Sequence, residues 1–307
     1  MKKIIIAGAG GMLGEAFYNE FKNDYNLTCT DIDVNESWLI YNDFKDLESY
    51  KELCLKVNPD ILIHLGAHTD LEFCEANEEE AYKTNTTSVE NATLISNELD
   101  IPLVYISTAG IFDGQKDIAY FEDDAPNPLN LFGQTRLEAE RDIENLLDQH
   151  IILRVSHLFA PSGNSFVTNL LDRARIESEL PMIQDERGCP TSIYDIGRVI
   201  SAVIDQLHAG AGAYGVYHVG CQGDASWMEL GECVIAQARQ FEDLAVEEIV
   251  GISGQSINGR AERPRRLVLS TRKLLYTFGI KPRPWRQELA ETVERHYARE
   301  GAKYAAV

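Results

Sequence analysis

The N-terminal stretch 1–14 constrains the fold more than any other part of the chain. Ile4-Ile5-Ile6-Ala7 is an apolar run without polar alternation, which is typical of a strand buried on both faces of a parallel sheet. Gly8, Gly11 and Gly14 follow with G-x-x-G-x-x-G spacing, and a helical pattern continues to Phe21. Glycines at these positions allow a tight turn, approach of the backbone to a diphosphate, and close packing of the helix on the sheet. The motif therefore predicts a strand–turn–helix unit whose helix N-terminus binds phosphate.

An acidic residue at the end of the next strand-like run supports a bound dinucleotide. Asp31 lies about 20 residues after the first glycine, the spacing of the acidic residue that binds the adenosine ribose. A carboxylate there accepts hydrogen bonds from the ribose hydroxyls and repels a 2′-phosphate, which favours NAD over NADP. Asp33 is an alternative for this role, and Lys45 keeps NADP open.

Charge and cysteine content exclude several classes of protein. The formal net charge of the 307-residue chain is −21, which argues against nucleic acid or an anionic membrane as the main partner. The six cysteines form no C-x-x-C pair and have no metal-ligand spacing, so we expect reduced thiols and no metal site. No apolar run reaches the roughly 18 residues of a membrane span, and the chain enters a strand without a signal-peptide pattern. We expect a cytoplasmic protein.

Strands and helices alternate through the first half of the chain. After the first unit, helices are predicted over 47–57, 75–99 and 131–147, and strands over 27–32, 61–67, 103–108 and 151–155. Residues 113–130 are rich in Asp, Pro and Asn and are predicted to form a loop or lid. The alternation predicts an α/β fold with a Rossmann-type, doubly wound parallel sheet.

The second half is less regular. Helices are predicted from Ser165 to about Glu179 and over 194–208, 226–241 and 285–299, with a short strand over 215–219. We predict a dinucleotide-binding domain over 1–155 and a smaller α/β substrate-binding lobe over 156–307 that is interleaved with it.

Four arginines cluster late in this acidic chain, at Arg260, Arg263, Arg265 and Arg266. Guanidinium groups match the geometry of phosphate or carboxylate, so the cluster indicates either an anionic ligand or a surface patch with local acidic partners.

Together these segments resemble the extended short-chain dehydrogenase/reductase superfamily and, within it, the dTDP-4-dehydrorhamnose reductase family. The resemblance covers nearly the whole chain. It rests on Gly8 to Gly14, Asp43-Phe44, Leu65-Gly66-Ala67-His68-Thr69, Asn85, Ser107-Thr108, Pro128-Leu129-Asn130, Arg154-Val155-Ser156, Gly163-Asn164-Ser165-Phe166, Gly188-Cys189-Pro190-Thr191, Gly215-Val216-Tyr217-His218 and Arg263-Pro264.

The resemblance implies roles for many of these residues. It implies NAD or NADP binding by Gly8, Gly11, Met12, Leu13, Gly14, Asp31, Asp43, Phe44, Leu65, Gly66, Ala67, Asn85, Ser107 and Arg136. It implies that a nucleotide-sugar is bound by Thr108, Ala109, His157, Arg187 and Arg263, with Thr108 donating to the keto oxygen.

The family's Tyr-x-x-x-Lys pair is replaced in this chain. In the family, the tyrosine gives a proton to the carbonyl oxygen and the lysine holds the nicotinamide ribose. Directly after Pro128-Leu129-Asn130 the sequence has Phe132 and Arg136 at these positions. Phenylalanine has no proton to give, and arginine, with a pKa above about 12, is no donor at neutral pH. His157 stands where the family often has a tryptophan and is a candidate substitute donor, or otherwise a packed histidine.

Two hypotheses of different class follow from this substitution. The first is an NAD(P)-dependent reductase of a nucleotide-linked 4-keto-6-deoxy sugar with altered proton donation. The second is a catalytically silent dinucleotide-binding subunit, similar to the regulatory beta subunit of methionine adenosyltransferase, which acts through a protein partner. An epimerase or dehydratase is weaker, because those relatives also use the missing tyrosine. A homodimer is plausible for this superfamily.

Overall fold

The computed structural model describes residues 1–257, 259 and 261–305 of the chain. Within these ranges no helix has the length and apolar character needed to cross a lipid bilayer.

The strands are β1 (Lys3–Ala7), β2 (Asn26–Asp31), β3 (Leu39–Tyr41), β4 (Ile61–His64), β5 (Leu103–Thr108), β6 (His150–Val155), β7 (Leu158–Phe159), β8 (Glu179–Ile183), β9 (Arg187–Gly188), β10 (Thr191–Ser192), β11 (Gly215–His218), β12 (Ala225–Ser226), β13 (Glu248–Ile252) and β14 (Arg266–Leu267). The helices are α1 (Met12–Phe21), α2 (Leu47–Val57), α3 (Leu71–Ala76), α4 (Glu78–Tyr82), α5 (Ser88–Leu99), α6 (Leu131–Leu146), α7 (Phe166–Ala174), α8 (Ile193–His208), α9 (Trp227–Ala238), α10 (Arg272–Phe278) and α11 (Trp285–Ala305).

Seven of the strands form one parallel sheet in the order β11-β6-β5-β4-β1-β2-β3. One face of this sheet is covered by α1, α8 and α10, and the other by α2, α5 and α6. The central strands are apolar on both faces because both faces are covered, so β1 alternates between the two cores: Ile4 and Ile6 face one, and Ile5 and Ala7 face the other. The predicted doubly wound parallel sheet is confirmed.

The order of the strands places the site. Strand order reverses between β1 and β4, because β1 is followed by β2 on one side and has β4 on the other. In open sheets of this kind, ligands bind beyond the carboxyl ends of the strands at such a reversal. The turn at Gly8, the loop after His64 and the segment after Thr108 all start at this edge.

The second half of the chain adds elements to the main sheet and also builds an apolar core of its own. It supplies β11, α8 and α10 to the main sheet, while α7, α9, α11 and β8 share a separate apolar core. Three small sheets lie in this half, formed by β7 with β10, by β8 with β13, and by β12, β9 and β14. Elements of the second half therefore belong both to the main sheet and to a separate core.

Two predicted helices differ from the structure. The single helix predicted over 75–99 is interrupted: Asn77 (φ −134°, ψ 60°) separates α3 from α4, and a π-helical turn, Lys83–Thr87, precedes α5. The helix predicted to reach Glu179 ends at Ala174. Glu179 instead begins β8, which pairs in parallel with β13 some seventy positions later, and such long-range pairing overrides local propensity.

Candidate cofactor and substrate site

The glycine turn after β1 is built by contacts that exclude side chains. Gly8 has φ +77°, and a Cβ there would collide with the backbone nitrogen of Gly66 in the loop after β4. A Cβ on Gly14 would collide with the carbonyl oxygen of Ala9, so α1 packs directly on the turn. Met12 and Leu13 open α1, whose Gly11 N-cap receives no side-chain hydrogen bond. The first N–H groups of α1 therefore remain available for an anion.

Asp31 lies against this turn, as the sequence spacing predicts. Its Oδ2 accepts from the Gly10 nitrogen at 2.9 Å, and its Oδ1 accepts from the Ile32 nitrogen at 2.8 Å. Asp33 is exposed, and its backbone nitrogen is 3.3 Å from Asp31 Oδ1. The Lys45 ammonium is paired with Glu80 at 2.9 Å. The structure thus brings Asp31, rather than Asp33 or a free lysine, to the glycine turn.

Phe44 and the loop after β4 form one packed unit. The Phe44 ring lies directly beneath Gly66, where a Cβ would collide with it. Asp43 Oδ1 accepts from the Lys45 nitrogen at 3.0 Å, which shapes the turn that presents Phe44. Leu65 packs on the core and Ala67 is half-buried, so this small-residue strand exit leaves space beside the glycine turn.

Asn85 fixes the same loop from the π-helical turn. It is fully buried, its Oδ1 accepts from the His68 nitrogen at 2.8 Å, and its Nδ2 donates to the His68 oxygen at 3.0 Å and to Thr135 Oγ1 at 3.2 Å. The extra residue of a π-turn aims a side chain off the regular helix face, and such turns are frequent at functional sites. Asn85 therefore holds the loop after β4 in place through its hydrogen bonds to the His68 backbone.

Thr108 and Phe132 meet at Gly110. Thr108 Oγ1 accepts from the Gly110 nitrogen at 3.0 Å, and a Cβ on Gly110 would lie 3.3 Å from Thr108 Oγ1 and 3.8 Å from the Phe132 ring. Ala109 is buried in the short 3₁₀ turn Ala109–Ile111, which directly follows Thr108. The α6 N-terminus is held there by Asn130, whose Oδ1 accepts from the Gly133 nitrogen at 2.9 Å. Phe132 thus lies beside Thr108, at the carboxyl end of β5.

Arg136 is a buried cation with incomplete pairing. It is 5% exposed, its guanidinium lies 4.5 Å from the centre of the Tyr105 ring, and Nη2 donates to the Ile106 oxygen. Its Nε and Nη1, together with Ser107 Oγ and the Tyr105 hydroxyl, have no hydrogen-bond partner among the described residues. Burial, assisted by the Arg136 charge, lowers the pKa of His64 to about 3. A buried charge without full pairing is costly, which suits a group that binds a polar ligand.

His157 is held as a packed, neutral imidazole. It has φ +47°, stacks on Trp227 with ring centres 4.0 Å apart, and its Nδ1 is 2.9 Å from Ser156 Oγ. Burial lowers the pKa of His157 to about 3. At neutral pH it carries no charge, so this geometry argues against the sequence hypothesis that His157 is the substitute proton donor.

An open cavity of about 790 Å³ lies between the 113–117 loop, the segment before β9 and the 261–266 segment. Arg187, Arg263, Arg265 and Arg266 line it. Three of these arginines are near carboxylates: Arg187 pairs with Asp224 at 2.9 Å, Arg266 is 3.8 Å from Asp224, and Arg263 is 3.9 Å from Glu72. Arg265 is exposed and forms no ion pair within the described part of the chain. Arg260 of the predicted cluster lies outside the described residues.

Sequence reasoning missed two carboxyl groups near the site. Glu75 Oε1 accepts from the Leu131 nitrogen at 2.7 Å, one residue before Phe132. Glu186 is buried in the cavity wall next to Arg187. The sequence carries no signal for the first contact, which joins residues far apart in the chain, whereas Glu186 directly precedes residues that the sequence had singled out.

Comparison with known proteins identifies one family across almost the whole chain. The sequence profile of the RmlD substrate binding domain matches residues 1–298. The chain is 28% identical over 283 residues to a dTDP-4-dehydrorhamnose reductase of Escherichia coli, covering 92% of this chain and 94% of the relative. It is 27% identical over 296 residues to the spore coat polysaccharide biosynthesis protein SpsK of Bacillus subtilis, covering 96% and 98%.

Solved structures give the same result. A dTDP-4-dehydrorhamnose reductase ortholog from Clostridium acetobutylicum is similar with a TM-score of 0.86 and 28% identity, covering 95% of this chain and 98% of that structure. The corresponding Bacillus anthracis protein, solved in complex with NADP, has a TM-score of 0.87 and 25% identity, covering 96% and 99%.

Proposed function

The chain belongs to the RmlD substrate binding domain family, and from this membership we propose that it is an NAD(P)H-dependent reductase of a nucleotide-linked 4-keto-6-deoxy sugar. The observation that carries the proposal is that two parts lie at the carboxyl edge of the sheet and that the loop following β5 lines the third. These parts are the glycine turn with Asp31, the Thr108 hydroxyl next to the start of α6, and the arginine-lined cavity beyond Leu129. A redox cofactor and an anionic sugar nucleotide need these parts side by side.

The residues present fit a dinucleotide. The free N–H groups of α1 suit a diphosphate, and Asp31 suits the hydroxyls of the adenosine ribose. Arg136 offers two buried donors without partners, Nε and Nη1, to a second ribose. When bound, the dihydronicotinamide supplies a hydride, and this chain's own residues bind, orient and protonate.

We favour NADH over NADPH. Asp31 places a carboxylate where a 2′-phosphate would have to lie, and like charges repel. Lys45, the residue that kept NADP open, has its ammonium 2.9 Å from Glu80, which also accepts from Thr84 Oγ1 at 3.1 Å. A competing phosphate would have to displace that pair.

The substrate would lie across the cavity with its sugar toward Thr108. In this arrangement the Thr108 hydroxyl would donate a hydrogen bond to the keto oxygen. Arg263 and Arg265 bind the diphosphate, because guanidinium groups match phosphate oxygens. Arg187 is held between Asp224 and Glu229, at 2.9 Å from each, and shapes the wall.

Proton donation is altered in this proposal. Phe132 occupies the position next to Thr108 and has no hydroxyl, and His157 is neutral and stacked. The same two facts favour the second candidate, a silent dinucleotide-binding subunit that acts through a protein partner. Both candidates require the cofactor, but only the first requires turnover.

Two measurements on the purified protein test the proposal. Fluorescence titration with NADH and NADPH should give tighter binding of NADH. Oxidation of NADH, followed at 4-keto-6-deoxy sugar nucleotides that differ in their base, should then show turnover. Binding without turnover on any of these substrates would favour the silent subunit, and binding of neither cofactor would overturn both candidates.

A further inference from the structure

A buried amide joins the start of α6 to the arginine-bearing segment of the cavity wall. Asn130, the N-cap of α6, is 3% exposed. Its Oδ1 accepts from the Gly133 nitrogen at 2.9 Å, and its Nδ2 donates to the Glu262 backbone oxygen at 2.8 Å. We propose that Asn130 is a positioning residue: this amide bridge sets the distance between the Thr108 hydroxyl and the Arg263 guanidinium. The inference rests on the reductase function proposed above, in which these two groups hold opposite ends of the substrate.

On one side, the amide bridge leads to the group proposed to bind the keto oxygen. Gly133, whose nitrogen Asn130 binds, packs directly on the turn after β5, because a Cβ on Gly133 would collide with the Gly110 oxygen. The Gly110 nitrogen in turn donates to Thr108 Oγ1 at 3.0 Å. The start of α6 and Thr108 are therefore held together by direct contacts.

On the other side, the amide bridge leads to the group proposed to bind the diphosphate. Glu262, whose backbone oxygen accepts from Asn130, directly precedes Arg263 in the chain. Glu262 and Arg263 both line the cavity, and so does Leu129, the residue before Asn130. A single side chain thus connects the two ends of the proposed substrate site.

Two further contacts hold the 261–266 segment, of which one leads to β9 and the other is weak. The Arg187 nitrogen donates to the Arg265 oxygen at 2.8 Å, which ties the segment to β9. Arg263 comes within 3.9 Å of Glu72 in α3, but these side chains are 32% and 42% exposed, and such pairs contribute little. Without the amide bridge, the arginines would stay in the cavity wall but lose their fixed distance from Thr108.

This arrangement distinguishes a whole substrate from its diphosphate part. A sugar nucleotide must contact both ends of the site at once, so its binding and the orientation of its keto group depend on their spacing. A nucleoside diphosphate lacks the sugar and would contact the arginine end alone. Loss of the amide bridge should therefore affect the sugar nucleotide and spare the nucleoside diphosphate.

Asn130→Ser and Asn130→Asp remove the bridge and keep the helix cap. Serine and aspartate are both good N-caps, so each can still accept from the Gly133 nitrogen. The serine side chain is too short to donate to the Glu262 oxygen as well, and a carboxylate has no proton to donate. Serine adds no charge, whereas aspartate does. Asn169→Ser is the matched control, because Asn169 is exposed on α7 and its amide bonds Asn164 at 2.8 Å.

The decisive comparison is between turnover of a dTDP-linked 4-keto-6-deoxy sugar and calorimetric binding of dTDP, the nucleotide named for the Escherichia coli relative. One neutral hydrogen bond corresponds to about threefold to tenfold in an equilibrium constant, so we expect kcat/KM to fall by about this factor in Asn130→Ser and in Asn130→Asp. In Asn130→Ser the affinities for dTDP and NADH should stay the same. Asn169→Ser should equal the natural protein in every measurement, and thermal unfolding checks that the cap is retained.

Three outcomes would overturn the proposal. Equal losses for dTDP and for the sugar nucleotide in Asn130→Ser would mean that Asn130 merely supports the arginine segment. A loss confined to Asn130→Asp would assign the effect to the added charge. If the natural protein turns over the sugar nucleotide and Asn130→Ser equals it, only this inference has failed. If the natural protein oxidises no NADH on any keto substrate, the reductase function itself has failed.

Discussion

At the scale of single residues, Phe132 marks the point where this chain departs from its family resemblance. The ring lies 3.8 Å from the Cβ position of Gly110, whose nitrogen donates to Thr108 Oγ1, so a tyrosine here would place its ring beside the residue proposed to bind the keto oxygen. We expect Phe132→Tyr to raise kcat by about tenfold or more, because it adds a general acid where the proposed site has none.

The control for this experiment is Phe241→Tyr, which adds the same hydroxyl to a half-exposed ring in the second half of the chain. It should leave kcat unchanged. Equal kcat for the natural protein and Phe132→Tyr would contradict the proposed placement of Phe132 beside the reacting oxygen.

His157 gives a second prediction at this scale. Its pKa of about 3 keeps the imidazole neutral from pH 5.5 to 9, so His157→Asn should leave the pH profile of kcat unchanged in shape. Asparagine tolerates the positive φ of this position, which limits backbone strain. His150→Asn, at the other end of β6, is the matched control. A kcat limb near pH 6.5 that disappears only in His157→Asn would show that the histidine does donate.

At the scale of elements, the π-helical turn links helix geometry to cofactor binding. Asn85→Ala removes both hydrogen bonds to the half-buried backbone of His68, whose oxygen keeps, of its described partners, only the Cys74 thiol at 3.7 Å, at a cost of about 1–3 kcal/mol. We expect a lower melting temperature and about tenfold weaker NADH binding, because the loop beside the glycine turn loses its anchor. A thermal unfolding curve measures the melting temperature, and calorimetric titration measures the NADH affinity.

Asn97→Ala is the control for the π-turn, since Asn97 is exposed on the regular helix that follows. It should leave the NADH affinity unchanged. Unaltered affinity in Asn85→Ala would mean that the loop keeps its shape without the π-turn.

The elements that were predicted correctly are those whose cause is local. The apolar run of β1, the spacing of the glycines and the distance from Gly8 to Asp31 all lie within the first strand–helix–strand unit, so their pattern can be read from the sequence. The break at Asn77 depends on packing of α3 and α4 against α6, and β8 exists because β13 pairs with it. Neither partner is near in sequence, which is why a continuous helix was predicted in each place.

The site divides in the same way. The proposed cofactor half lies on the first units of the sheet, and the positions of Asp31, Gly66 and Thr108 follow from motifs at strand ends. The proposed substrate half is assembled from the 113–117 loop, the segment before β9 and the 261–266 segment. These segments meet through tertiary contacts such as the hydrogen bond from the Arg187 nitrogen to the Arg265 oxygen, 2.8 Å. The burial of Glu186 arises only from that assembly.

At the scale of the whole molecule, the last helix contacts the first turn of α1, next to the glycine turn. Arg299 of α11 donates to Glu15, in the first turn of α1, and to Ser162. Without Arg299, the Glu15 carboxylate would stand uncompensated near the proposed diphosphate site. We expect Arg299→Ala to weaken NADH binding about twofold to fivefold, the range of a partly exposed ion pair. Arg295→Ala breaks the pair with Glu20, farther along α1, and should not change the affinity. Equal affinities in all three proteins would contradict the coupling.

Three histidines, His64, His157 and His218, tie the stability of the molecule to pH, because burial lowers the pKa of each. His64 and His218 are both fully buried, and burial lowers the pKa of each to about 3, assisted by Arg136 and Arg154 respectively. The unfolded chain protonates them near pH 6.5 while the folded chain does not, so stability falls as pH falls below 6.5 and continues to fall until about pH 3. Each histidine costs about 1.4 kcal/mol per pH unit in that window.

The measurement is the free energy of unfolding in urea at pH 7.5, 6.5 and 5.5, compared between the natural protein, His218→Gln and His208→Gln. His218 Nδ1 donates to the Tyr120 backbone oxygen at 3.2 Å, so its replacement lowers stability at every pH. The decisive quantity is the slope. Below pH 6.5 it should be shallower in His218→Gln by about 1.4 kcal/mol per unit, because one proton fewer distinguishes the unfolded from the folded chain. His208 is exposed at the end of α8, and its replacement should leave the slope unchanged. An identical slope in all three proteins would mean that His218 is protonated in the folded state and that the interior around Arg154 admits a second cation.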